Sequence, residues 1–449
     1  MTFGPRPTLP DPGPYPSVTL GVVSDVQTPN GMRVVAVRRP QVPLVQIRLQ
    51  VPLGDVRVRD GAALRLLPKM LLAGTGARSG SEVAAAIQRI GATLGVSEDP
   101  DHLSFAAAGP AGRLEELLEL LGEIVALPSF PRGEIVGERE RVAQEVVQEA
   151  ADPIALATRA LWAELFPGHP YAEPLPGIAS VRRTGRSSLS RFHETHLQPS
   201  GSALVVVGDV DPDRVIDIAH GTLGTLPAGP GADGARTLDP PSPPAGGGGI
   251  LVVHRPGAVQ SNLRIGARCA GRHDPSFPAL LIATTVLGGS FMSRLVTNLR
   301  ERNGYTYSPR AVIDERRLAA AATVRAEVAT EVTAKALAEV LYELARMATA
   351  EVTAAELDSS RRYVAGVVAM AASTQAELAS LLASLVSNDL DPSYLESFLR
   401  DLADLDTGLV STVARRALGP AAMTTVVVGD ADLVTEPLSS LDRVRVVAL

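Results

Sequence analysis

The chain has 449 residues, 45% hydrophobic and 20% charged, with a formal net charge of −7. At roughly 100–200 residues per domain, that length suggests two to four domains, each able to bury a core without covalent help. The acidic balance argues against sequence-independent nucleic-acid binding, which needs clustered Lys and Arg, and the lone cysteine, Cys269, rules out a disulfide framework or a multi-cysteine metal site.

Residues 1–16 are rich in Pro and Gly and lack the apolar stretch of a secretory leader. No apolar run in the chain approaches the roughly 18 residues of a membrane span. The expected location is therefore the cytoplasm, with no membrane partner. Strands are expected over 33–37, 45–51 and 104–108, several of them alternating apolar and polar residues. Between them, 81–90 reads as a helix capped by Ser81 and ended by Gly91. Leu114, Leu117, Leu118 and Leu121 recur at helical spacing. Another strand is expected over 203–207. Residues 227–249 are rich in Pro and Gly and read as a linker. Beyond it, strands are expected over 250–253, 263–267, 319–324 and 424–428, and Leu337, Val340, Leu341 and Leu344 mark a further helix.

The two sides of the linker resemble each other. Val34-Val-Ala-Val-Arg-Arg-Pro matches Ile250-Leu-Val-Val-His-Arg-Pro at an offset of 216, and Val205-Val-Val-Gly-Asp matches Val426-Val-Val-Gly-Asp at 221. A weaker match at 213 sets Ile90-Gly-Ala-Thr-Leu against Asn303-Gly-Tyr-Thr-Tyr. Similar offsets in one order indicate duplication. The expected fold is α+β: two homologous domains, 1–226 and 250–449, each a mostly antiparallel sheet with helices on one face, joined into a clam-like body.

Self-sufficient active-site motifs are missing. Gly246–Gly249 falls in the linker and lacks the Lys-Ser/Thr of a phosphate loop, and there is no Gly-x-Ser-x-Gly elbow. His193 and His196 are spaced i, i+3, not the i, i+4 of a His-Glu-x-x-His zinc site, and read as structural or exposed. His169, in Pro167-Gly-His-Pro-Tyr, reads as a turn residue, and Cys269 as a small buried hydrophobe.

Several blocks taken together resemble the M16 (pitrilysin/insulinase-like) peptidases, particularly bacterial members of this length and mitochondrial processing peptidase subunits. The first half carries Gly74-Thr75, Ile90-Gly-Ala, Phe130-Pro, Glu138-Arg through Glu145, Asp152-Pro, Pro167-Gly-His-Pro-Tyr and Pro199-Ser-Gly. The second half carries Leu287-Gly-Gly-Ser-Phe-Met-Ser-Arg-Leu and Leu299-Arg-Glu-Arg-Asn-Gly-Tyr-Thr-Tyr. Catalytic members hold zinc through an inverted His-x-x-Glu-His motif and a Glu further on. The corresponding positions here are Arg65, Pro68 and Lys69, with Glu138 and Glu145 at the downstream acidic positions. Arg offers no lone pair, Pro no acid–base group, and Lys is an ammonium unless strongly desolvated. The resemblance thus implies a degenerate zinc motif, with no metal in this chain. Either Arg65 and Lys69 neutralise Glu145 as an ion pair, or both point to solvent.

Related enzymes also use an Arg and a Tyr seven residues later to reach the substrate from the second half, and Arg300 and Tyr307 have that spacing. A guanidinium can bond a substrate carbonyl, and a phenol can donate to a developing oxyanion. The resemblance implies the non-metal subunit of a heterodimeric peptidase, partnered by a homologous chain that carries His-x-x-Glu-His and zinc, and acting on a peptide. The peptide would add as a strand at a sheet edge, in the family's usual position at 104–108. A second reading is a structural or peptide-binding protein without catalysis, like the core subunits of respiratory complexes. A third is an autonomous hydrolase using His193 and His196.

Overall fold

In the computed structural model, which describes residues 13–56, 58–172, 174–228 and 248–448, the Val-rich segments become the inner strands of two six-stranded sheets. The first is built from β1 (Val23–Gln27), β2 (Arg33–Arg38), β3 (Leu44–Pro52), β4 (Thr93–Glu98), β5 (His102–Pro110) and β6 (Ala203–Gly208), in the order β1-β2-β6-β3-β5-β4. Only β2 and β6 run parallel. The second is built from β7 (Ile250–His254), β8 (Gln260–Cys269), β9 (Arg310–Glu315), β10 (Ala320–Ala329), β11 (Thr424–Gly429) and β12 (Val444–Ala448), in the order β12-β7-β11-β8-β10-β9. Here β7 runs parallel to both of its neighbours.

The duplication extends to register. Leu204 pairs with Val34 on one side and Leu49 on the other. Thr425 pairs with Ile250 and Ile265 in the same way. The offsets of 216 and 221 read from the sequence thus return one set of cross-strand partners. The weaker match also has a physical basis. Gly91 and Gly304 sit at φ of 75° and 64°, the left-handed region that glycine enters without a Cβ clash. The halves differ at one rim, where β1 precedes β2 and lies antiparallel to it, whereas β12 comes last and lies parallel to β7.

Five helices of the first half place the candidate site: α1 (Gly61–Leu71), α2 (Gly80–Ile90), α3 (Leu114–Ala126), α4 (Arg132–Ala151) and α5 (Pro153–Leu165). Helices α1 to α4 cover one face of the first sheet, with Leu66, Leu67, Leu117, Leu121 and Val142 buried against Ile47, Phe105 and Val206. The helix cap moves relative to expectation. Ser79, not Ser81, caps α2, and it forms a capping box with Glu82.

The expected covering of one face is corrected. Both sheets are covered on both faces, because each half lends a helix to the other. The Gln375–Val386 helix of the second half packs Leu378, Leu382 and Val386 on Val35, Val205 and Val207 of the first sheet. Helix α5 returns the arrangement, setting Ala157, Leu161 and Trp162 on Leu251, Val426 and Val428. This double covering explains why β6 is buried at every residue and reads as an unbroken apolar run. The exchange repeats in polar detail. Arg48 Nε donates to Ser380 Oγ at 3.1 Å, and Arg264, 216 residues on, sends Nε to Thr158 Oγ1 of α5 at 3.4 Å.

The placement of the edge strand at 104–108 is also corrected. Those residues lie in β5, hydrogen-bonded to β3 on one side and β4 on the other. The edge strands of the first sheet are β1 and β4. Of the expected linker, only residues 227, 228, 248 and 249 are among those described. No single described helix is long and apolar enough to cross a bilayer.

Candidate functional site

Helix α1 buries Leu66, Leu67, Met70 and Leu71 in the core. That leaves Arg65 and Lys69, one turn apart, on the face toward α4. Pro68 lies in the last turn of α1 and is buried. It has no N–H to give the Leu64 carbonyl, yet the helix continues three residues past it to Leu71. Pro68 therefore neither starts the helix nor ends it.

Helix α4 answers the two cations with carboxylates at the same i, i+4 spacing. Lys69 Nζ donates to both oxygens of Glu145, at 2.8 and 2.9 Å. One Arg65 nitrogen reaches Glu149 at 2.7 Å and the other Glu98, at the end of β4, at 3.5 Å. Arg159 of α5 also contacts Glu149, at 3.4 Å. Of the two expected cations, only Lys69 neutralises Glu145. Arg65 is drawn to Glu149 and Glu98, which lie beside its own turn of α1. Glu138 stands apart, paired with Arg141 at 2.7 Å. Burial pushes the Glu98 carboxyl up, against the pull of Arg65.

These donors do not fit a zinc ion. The positions that would supply two imidazoles hold an ammonium and a guanidinium, both already donating to carboxylates. Pro68 offers no group that could activate water.

The second candidate pair does come together. Arg300 lies in a wide π-helical turn, Val296–Arg302. Buried Asn298 pins that turn through Glu339 and Glu343, each at 2.8 Å. Gly288 permits the preceding turn to lie flat on β9, since a Cβ there would run into the Ala311 backbone. The Arg300 guanidinium sits over the Tyr307 ring at 4.7 Å and over the Phe291 ring at 4.8 Å. The Tyr307 side chain is 79% exposed, with its hydroxyl unpartnered among the described residues. The two rings flank the half-buried guanidinium, whose Nε also meets Glu301 at 3.2 Å. Neither residue lines the cavity beside Arg65, so the two constellations are separate on the chain.

The histidines are fastened individually. His193 Nε2 lies 2.6 Å from the Val125 carbonyl, and His196 Nδ1 lies 2.7 Å from the Leu53 carbonyl. Each ties the Arg186–His196 helix to a different part of the core. His169 is buried in its turn, where Nδ1 accepts the Tyr171 N–H. Cys269 is half-buried, and burial pushes its thiol up to about 12. Sequence reading missed Glu149, Glu98 and Phe291. Glu149 was legible, because it follows Glu145 at the interval that separates Arg65 from Lys69.

Residues 33–177 match the family model described as Insulinase (Peptidase family M16), and residues 185–364 the one described as Peptidase M16 inactive domain. The chain is 28% identical over 293 residues to an uncharacterized zinc protease from Mycobacterium leprae, 64% of each chain. It is 26% identical over 264 residues to human cytochrome b-c1 complex subunit 1, mitochondrial, covering 58% of this chain and 54% of that one. The matched region is thus just under two thirds of the first relative's length and about half of the second's. Among solved structures, a peptidase M16 inactive domain from Pseudomonas fluorescens superposes with a TM-score of 0.82 at 24% identity, covering 91% of this chain and 98% of that one.

Proposed function

Because the chain belongs to the M16 peptidase family, we propose that it is the non-metal subunit of a two-chain zinc endopeptidase that processes peptides. The observation that carries this reading is the contrast between its two candidate sites. At the former metal position, Lys69 is committed to Glu145. In the second half, Arg300 stacks on Tyr307 beside its contact with Glu301, and the Tyr307 phenol is exposed with its hydroxyl free among the described residues. A homologous partner with an intact His-x-x-Glu-His motif would hold the zinc. This chain would contribute Arg300, which binds a carbonyl of the peptide backbone, and Tyr307, whose hydroxyl donates to the oxyanion as it forms. The two chains would close around the substrate as the halves of a clam.

The test is hydrolysis by the reconstituted pair. Tyr307→Phe removes one oxyanion donor and is expected to lower kcat about 100-fold, with KM little changed. Arg300→Ala is expected to lower kcat/KM to a similar extent. Full activity in both variants would exclude a shared site. The similarity to a subunit of the cytochrome b-c1 complex favours one alternative, a non-catalytic structural or peptide-binding role. Under that reading the chain co-purifies with an assembly that has no hydrolytic activity.

A further inference from the structure

A cavity of about 350 Å³ opens where α1, the end of β4, α5 and residues 170–172 and 174–176 meet. Its apolar wall includes Leu64, Trp162, Tyr171, Leu175 and Pro176. That size and lining suit one large apolar side chain. The polar groups of the wall are nearly all satisfied from within. Arg65 and Arg159 meet Glu149, and Arg65 also meets Glu98. Asp99 Oδ1 accepts the backbone N–H groups of Asp101 and His102.

Arg316 is the exception. It reaches over from the second half, and its guanidinium stacks on the Trp162 ring at 5.0 Å. Among the described residues that guanidinium meets no carboxylate. Arg316 and Asp99 also line a second cavity, of about 630 Å³, between the two halves, so the two spaces adjoin at this side chain. A cation held in place by an aromatic ring, with its fork of donors free, is a receptor for a carboxylate.

We propose that this cavity receives the C-terminal residue of a peptide. The terminal apolar side chain enters the hollow beside Trp162, and the α-carboxylate bonds the Arg316 guanidinium. The preceding residues lie in the larger cavity between the halves. This deepens the peptide-processing reading and rests on it for the class of ligand. It adds that the chain reads one end of the peptide at a place separate from Arg300 and Tyr307.

Trp162 is the only tryptophan in the chain, so its fluorescence reports on this cavity alone. The probes are acetylated tetrapeptides ending in Phe with a free carboxylate, the same peptides with a C-terminal amide, and free acids ending in Asp. With the isolated chain, the Phe free acid is expected to give a saturable change in Trp162 emission. The amide and the Asp-ended peptide are expected to bind at least tenfold more weakly, and Arg316→Gln should bring the free acid down to the level of the amide. Equal binding of acid and amide overturns the proposal, as does a free acid unaffected by Arg316→Gln, or no saturable response to any peptide. The acid–amide comparison uses the wild-type chain and does not depend on how the variant folds. Binding is read without a partner, whereas the shared-site reading is tested by hydrolysis with one, so each can fail alone.

Discussion

The ion pairs of this chain differ widely in what they contribute. Lys69 and Glu145 have side chains 32% and 48% exposed, so their bridge adds at most about 1 kcal/mol. Its consequence is chemical: it occupies a carboxylate that would otherwise be free. Arg294 and Glu356 are a different case. Arg294 is buried, and its Nε and one terminal nitrogen bond the two Glu356 oxygens at 2.7 and 2.9 Å. Burial alone would raise the Glu356 carboxyl, but Arg294 and the capping contacts from Thr353 outweigh it and bring it to about 2. A carboxyl depressed from 4.5 to about 2 stabilises the fold above pH 4.5, by about 3 kcal/mol, and the stabilisation is lost as pH falls toward 2. Glu356→Gln is therefore expected to be less stable than wild type at pH 7 by about that amount. Urea unfolding across the acid range should show the difference closing between pH 4.5 and 2.

Among elements, the inner strands were legible and the outer ones were not. All eight strands expected from sequence fall on the four central strands of each sheet, whereas β1, β4, β9 and β12 form the rims. A rim strand has a neighbour on one side only, and β4 exposes alternate residues along its length. Such segments carry little apolar signal. The α2 cap was misplaced by two residues for a local reason: Ser79 and Ser81 flank the same helix start, and the capping box selects the serine three residues before Glu82. Ser79→Ala is expected to cost about 1 kcal/mol, and Ser81→Ala far less, by thermal or urea unfolding.

For the molecule as a whole, the reciprocal helices decide how it unfolds. Each sheet buries one face against a helix that belongs to the other half. Neither half can lose its structure without uncovering the sheet of the other. Leu161 of α5, 1% exposed, lies wholly within that exchanged contact. Leu161→Ala is expected to cost about 3 kcal/mol. Calorimetry should show one transition moved to lower temperature, and two separate transitions would mean that the halves are energetically independent.

By itself the sequence determined the duplicated α+β architecture, the inner strands with their matching offsets, and the lack of any His, Cys, Asp or Glu in the Arg65–Lys69 segment. These are visible because they rest on residue type and local periodicity. Only the tertiary structure decided which carboxylate each cation meets, since Glu145 and Glu149 are equally plausible partners until the packing of α4 on α1 sets their height. It also decided that each half covers the sheet of the other, and that Tyr307 faces outward over Arg300. Those outcomes depend on contacts between residues far apart in the chain, which no local pattern records.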